Sequence, residues 1–153
     1  MRFLNSELLS DWLNHGAIIS DVNLSKDFSH ILSGLPWQAG HLNFNKLENM
    51  SSSLNDLLND EGDICFEKIC CWLSDHEIIK TKHVAFWYSE DQPCIICDKE
   101  FGLQNIDSAY WGVPGWNYMF GCMIVNGVIA ANYNEILCYD SASTLVLVKN
   151  LST

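Results

Sequence analysis

Arginine is almost missing from this chain. Arg2 is the only one, and the combined 8 lysines and arginines face 19 aspartates and glutamates, a net charge of −11 at pH 7. Nucleic-acid binding needs a basic footprint that displaces counterions from phosphate, and that footprint is lacking. Anionic membranes are disfavoured for the same reason. Long hydrophobic runs are lacking too. Residues 108–134 carry no formal charge, but Gly112, Pro114, Gly115, Asn117, Asn126, Gly127 and Asn132 interrupt them. The unbroken apolar part falls well short of the ~20 residues that a bilayer requires. Met1, Arg2, Phe3 and Leu4 are followed by polar Asn5, Ser6 and Glu7, which is no export signal, so a cytoplasmic location is expected. Also absent are the Gly-x-Ser-x-Gly elbow, the Gly-x-x-x-x-Gly-Lys phosphate loop and the Gly-x-Gly-x-x-Gly fingerprint, so the familiar hydrolase and nucleotide chemistries have no support.

What is present suffices for a folded core. Hydrophobic residues make up 48% of the 153 residues, and six are tryptophan. A chain of this length fits one domain, residues 1–153, with enough apolar surface to offset backbone ordering. Seven cysteines, an odd number without an export signal, are expected as reduced thiols.

The hydrophobic pattern divides the chain into a helical half, about 1–80, and a sheet-forming half, about 82–150. Leu8, Leu9, Trp12 and Leu13 recur at helical spacing, with Gly16 placed for a left-handed cap. Leu24, Phe28, Ile31 and Leu32 repeat the design before Gly34 and Pro36. Leu47, Met50, Leu54, Leu57 and Leu58 trace a third helical stripe, against the low propensity of Ser51, Ser52 and Ser53. Asp63 is placed to cap a fourth helix that turns Ile64, Cys65, Ile69, Trp72 and Leu73 inward and ends near Ser74. Beyond Lys82 the period changes. Residues 83–88 and 94–97 read as a strand pair, residues 118–125 and 128–132 as a hairpin about Asn126-Gly127, and residues 135–139 and 144–148 as further strands. Both alternating sets of residues 118–125 are apolar, so both faces of the sheet should be covered. The expected class is α+β, with N-terminal helices packed on a C-terminal antiparallel meander.

Candidate chemistry is sparse. Cys94 and Cys97 stand three apart, a spacing that can chelate zinc or exchange as a dithiol, but no second ligand pair accompanies them and Ile95 and Ile96 favour a strand. Cys65, Cys70 and Cys71 point in different helical directions, so they do not converge with His76 or His83. Neither a catalytic residue nor a metal or other cofactor is assigned. Binding features are better represented. Asp56, Asp60, Glu61, Asp63, Glu67, Asp75, Glu77, Glu90, Asp91, Asp98 and Glu100 form an acidic belt interrupted only by Lys68, Lys80, Lys82 and Lys99. Tyr110, Trp111 and Trp116 are interleaved with Gly and Pro, a setting for aromatic anchors or for a plug at the sheet end. The partner-binding set is therefore Asp60, Glu61, Asp63, Glu90, Asp91, Asp98, Glu100, Trp111 and Trp116. The expected partner is a basic protein, steered by charge. That is the profile of a bacterial immunity protein that occludes a nuclease-type toxin. An acidic secretion chaperone or a phage decoy that mimics nucleic acid shares it, and a cysteine- or metal-dependent enzyme is the alternative of another class.

Overall fold

The computed structural model describes residues 7–112, 118–141 and 143–151. In chain order the elements are α1 (Glu7–Asn14), β1 (Ile18–Ile19), α2 (Val22–Ser33), β2 (Trp37–Gln38), β3 (His41–Leu42), β4 (Asn49–Ser53), α3 (Phe66–Trp72), α4 (Glu77–Lys80) and β5 (His83–Trp87). They continue with β6 (Ile95–Asp98), α5 (Lys99–Gln104), α6 (Ile106–Gly112), β7 (Tyr118–Val125), β8 (Val128–Ala131), β9 (Ile136–Ser141) and β10 (Thr144–Val148). Eight strands form one antiparallel sheet in the order β1-β6-β5-β7-β9-β10-β4, with β8 paired to β7 off that path; β2 and β3 make a separate small hairpin. The class is α+β, as the two hydrophobic periods indicate.

Both faces of the sheet are buried. On one, Leu9 and Trp12 of α1, Ile69 and Leu73 of α3, Ile78 of α4, Leu103 of α5, and Ile106 and Ala109 of α6 pack on Val84, Phe86, Ile95, Cys97, Met119, Leu137, Leu145 and Leu147. Trp12 meets Phe86 and Phe101 edge-on, at ring centroid distances of 5.1 and 5.3 Å. On the other, Phe28 and Leu32 of α2 and Leu42 of β3 cover Ala85, Ile96, Phe120, Cys122, Ile136, Cys138, Val146 and Val148. Phe28 stacks on Phe120 with centroids 4.0 Å apart. Asp21 starts α2 by accepting from the Asn23 and Leu24 amides at 2.9 and 3.3 Å, satisfying donors that a helix start leaves open.

Two expectations of local structure are corrected. Residues 45–60 are not one helix: β4 pairs along its whole length with β10, and a 3-10 turn (Leu54–Leu57) follows. Ladder hydrogen bonds to β10 prevail over a leucine stripe that the serine run weakens. Asp63 caps nothing; the residue before α3 is Cys65, with no side-chain cap. The Asn126-Gly127 turn forms as read, with φ of 52° and 78°, the two positive angles of a type I′ turn. Along one edge, β7 pairs first with β9, at Tyr118↔Cys138 and Met119↔Leu137, and then with β8, at Cys122↔Ala131 through Val125↔Val128. Eight residues are long enough for two successive neighbours.

Candidate functional site

The acidic residues of the helical face are held by specific local geometry. Asn59 organises the turn that carries Asp60, Glu61 and Asp63: its Oδ1 accepts from the Glu61 and Asp63 amides at 3.0 and 2.9 Å, and its own amide donates to the Asp63 carbonyl at 2.8 Å. Gly62, at φ +84°, lets the chain reverse there. Across an open hollow of about 560 Å³ lie Gln104, Asn105, Asp107 and Ser108, where α5 meets α6. Asp107 accepts from the Tyr139 hydroxyl at 3.1 Å. At its other end, α5 is capped by Asp98, which accepts from the Glu100 amide at 3.1 Å. Glu67 of α3 is held below the usual carboxylate range by a backbone hydrogen bond and by the Cys65 thiol, 3.3 Å away. The helix α5 lies unusually low on the sheet. A Cβ on Gly102 would overlap the Val84 methyl and come within 2.9 Å of the Cys97 sulfur.

No lysine forms an ion pair with a carboxylate among the described residues. Lys68 Nζ donates to the Leu58 carbonyl at 2.6 Å, and Lys99 Nζ donates to the Ile79 carbonyl. Among the described residues the ion pairs are His15–Asp11 and His76–Glu135, and neither involves a lysine. Two of the lysines that interrupt the belt in the sequence are thus tied to main-chain oxygens rather than to a carboxylate; they keep their charge, and the acidic side chains still outnumber them.

All seven acidic residues of the sequence-derived set, Asp60, Glu61, Asp63, Glu90, Asp91, Asp98 and Glu100, are exposed. The fold does not place them in one patch. Strands β5 and β6 pair from His83↔Asp98 to Phe86↔Ile95, so Asp98 stands at the open end of that hairpin and Glu90 and Asp91 in the turn at the opposite end. That turn belongs to the α2 side: Ser25 Oγ donates to the Gln92 carbonyl, and Trp87 Nε1 donates to the Ser25 carbonyl at 3.1 Å. Asp60, Glu61, Asp63 and Glu67 lie before or in the first turn of α3, Asp98 and Glu100 at the start of α5, which contacts α3, and Asp107 in α6, which contacts α5. Trp116 and the side chain of Trp111 lie outside the described residues. No protein family and no curated protein matches the chain.

Cys94, just before β6, and Cys97, within it, are divided by the pleat. Cys94 belongs to the core under α2 and Cys97 to the core under α5, on opposite faces of the sheet, because residues three apart on a strand point opposite ways. Burial pushes Cys94 up to about 11 and Cys122 up to about 12, so these thiols stay protonated at neutral pH. No cluster of three or more metal-ligating side chains occurs among the described residues.

One polar group escaped the sequence reading. Glu135, 4% exposed, accepts from the Ile78 amide at 2.9 Å and bonds His76 Nδ1 at 3.1 Å. Beside it Glu77 accepts from the side-chain amides of Asn132 and Asn134. This clamp fastens α4 to the connection between β8 and β9. The available signal was a lone glutamate between apolar strands, which burial makes costly without partners.

Proposed function

We propose that the chain is a non-enzymatic binding protein whose acidic helical face captures a basic protein, in the manner of an immunity protein that neutralises a nuclease-type toxin inside the cell. The observation that carries this reading is the arrangement of Asp60, Glu61, Asp63, Glu67, Asp98 and Glu100 around α3 and α5, with Lys68 and Lys99 bonded to main-chain carbonyls. A surface of that kind attracts Lys and Arg side chains, which a nuclease displays along its substrate path. Each close charge pair then adds to affinity and on-rate. The hollow beside Asp63 and Asp107 gives a protruding cationic side chain room to approach both carboxylates. No helix among the described residues is long and apolar enough to cross a membrane, which accords with a partner met in solution.

The geometry also ranks the acidic residues. Glu90 and Asp91 stand at the far end of the β5–β6 hairpin and belong outside the main contact. The test is capture of the basic partner from native cells at low salt, followed by affinity measurement and an assay of the partner's activity. Paired charge reversals compare the two groups. Asp98→Lys with Glu100→Lys should weaken binding about tenfold or more, the size of one lost interfacial charge pair, whereas Glu90→Lys with Asp91→Lys should change it little. Equal effects from both pairs, or none, contradict the assignment.

A further inference from the structure

The tip of the β7–β8 hairpin stands apart from everything the acidic face explains. Residues 108–134 carry no formal charge in a chain of −11, and at the tip Met123, Val125 and Val128 are 38, 55 and 67% exposed. Strand β5 reaches only as far as Cys122, so residues 123–125 run beyond it, and among the described residues β7 is the one strand that pairs with β8.

The register shows which backbone groups are left over. A two-residue turn makes Val125 and Val128 the first hydrogen-bonded pair. Bonded and non-bonded pairs then alternate, and the Asn132 amide donating to the Gly121 carbonyl at 2.9 Å keeps this phase. The N–H and C=O of Ile129 and Ala131 therefore point to the outer edge, where no other strand lies among the described residues. Edge strands are ordinarily guarded by charge, proline or a bulge, and β8 has none of these. The other sheet edges differ: β1 is two residues long, and β4 is serine-rich between Glu48 and Asp56.

We propose that β8 pairs antiparallel with β8 of a second copy of this chain, about a twofold axis at Ala130, so that two sheets join into one. The edge itself admits this occupant. Two copies at −11 repel across their acidic surfaces, and Val128–Ala131 bring no charged side chain of their own to the contact, the carboxylate of Glu77 lying beyond the strand end on Asn132 and Asn134. A basic partner is drawn elsewhere. An antiparallel edge is also complementary to itself, as a twofold contact requires. In this register Ile129 of one copy faces Ala131 of the other, and both present outward backbone groups. Ala130 faces its own equivalent in a non-hydrogen-bonded pair, where Cα atoms approach to about 4.5 Å and methyl side chains fit.

Sedimentation of the full chain over a concentration series tests the pairing. A monomer–dimer equilibrium is expected that tightens as salt screens the repulsion between copies, the opposite of the salt effect on capture of a basic partner. Ala130→Lys and Ala130→Glu should each give a monomer with unchanged far-UV circular dichroism, since Ala130 is exposed. Mixing the two variants should restore a heterodimer through the opposed charges. A wild-type chain that stays monomeric, a dimer that survives either substitution, or a mixture that stays monomeric overturns the proposal.

Discussion

Glu135 shows how one side chain can settle a connection that periodicity leaves open. Its carboxylate satisfies the Ile78 amide and His76 together, and losing it strands a buried donor that water does not reach. Glu135→Ala should lower the free energy of unfolding by about 1–3 kcal/mol, the usual cost of an unsatisfied buried polar group. A urea midpoint equal to that of the wild type would show that the clamp contributes nothing. The buried thiols give a second prediction at this scale. In the unfolded chain a cysteine titrates near about 8.5, while burial holds Cys94 up to about 11 and Cys122 up to about 12 and raises Cys97 and Cys138 as well. Their contribution is complete below the unfolded value and is lost as pH climbs through the folded values, because the unfolded chain then releases protons that the native one keeps. Unfolding free energy should fall above about pH 8.5, each thiol contributing at most about 1.4 kcal/mol per pH unit. In the native protein a thiol reagent should label the exposed Cys71 first and the four buried cysteines only after unfolding.

Elements were legible where local chemistry and tertiary packing agree. Helices α1 and α2 have clean apolar faces and identifiable ends, and Asn126-Gly127 suits one turn so well that the hairpin follows from two residues. Strand β4 was illegible because its reason for being a strand lies about 95 residues away, roughly the sequence gap to β10. Helices α5 and α6 were missed for another reason. Asp98 follows directly on the strand run 94–97 and counts toward the acidic belt, yet as a cap preceding Phe101, Leu103, Ile106, Ala109 and Tyr110 it marks a helical start. Their position on the sheet then depends on Gly102, whose missing side chain admits Val84 and Cys97. In an open helix Gly→Ala stabilises; here overlap with the sheet should reverse the sign. Gly102→Ala is expected to destabilise by about 1–3 kcal/mol, measured by urea unfolding, and a gain in stability would mean that α5 sits higher than described.

Charge is the property of the whole molecule that the amino-acid totals reveal best. The excess of carboxylates and the poverty of arginine can be read without coordinates. Their grouping cannot: neighbours in sequence such as Asp91 and Asp98 part to opposite ends of a hairpin, while Asp63 and Asp107 come to line one hollow. Nor can composition tell that Lys68 and Lys99 turn to main-chain carbonyls rather than to the acidic side chains. The proposed function requires that this acidic face select a cationic protein. The direct measurement is the dissociation constant of the purified complex between this chain and its captured partner, titrated from low to high salt. Steep weakening with salt, flattened when Asp98 and Glu100 are reversed, is the predicted result. An affinity that ignores salt, or a partner whose contact surface is neutral or acidic, would contradict it.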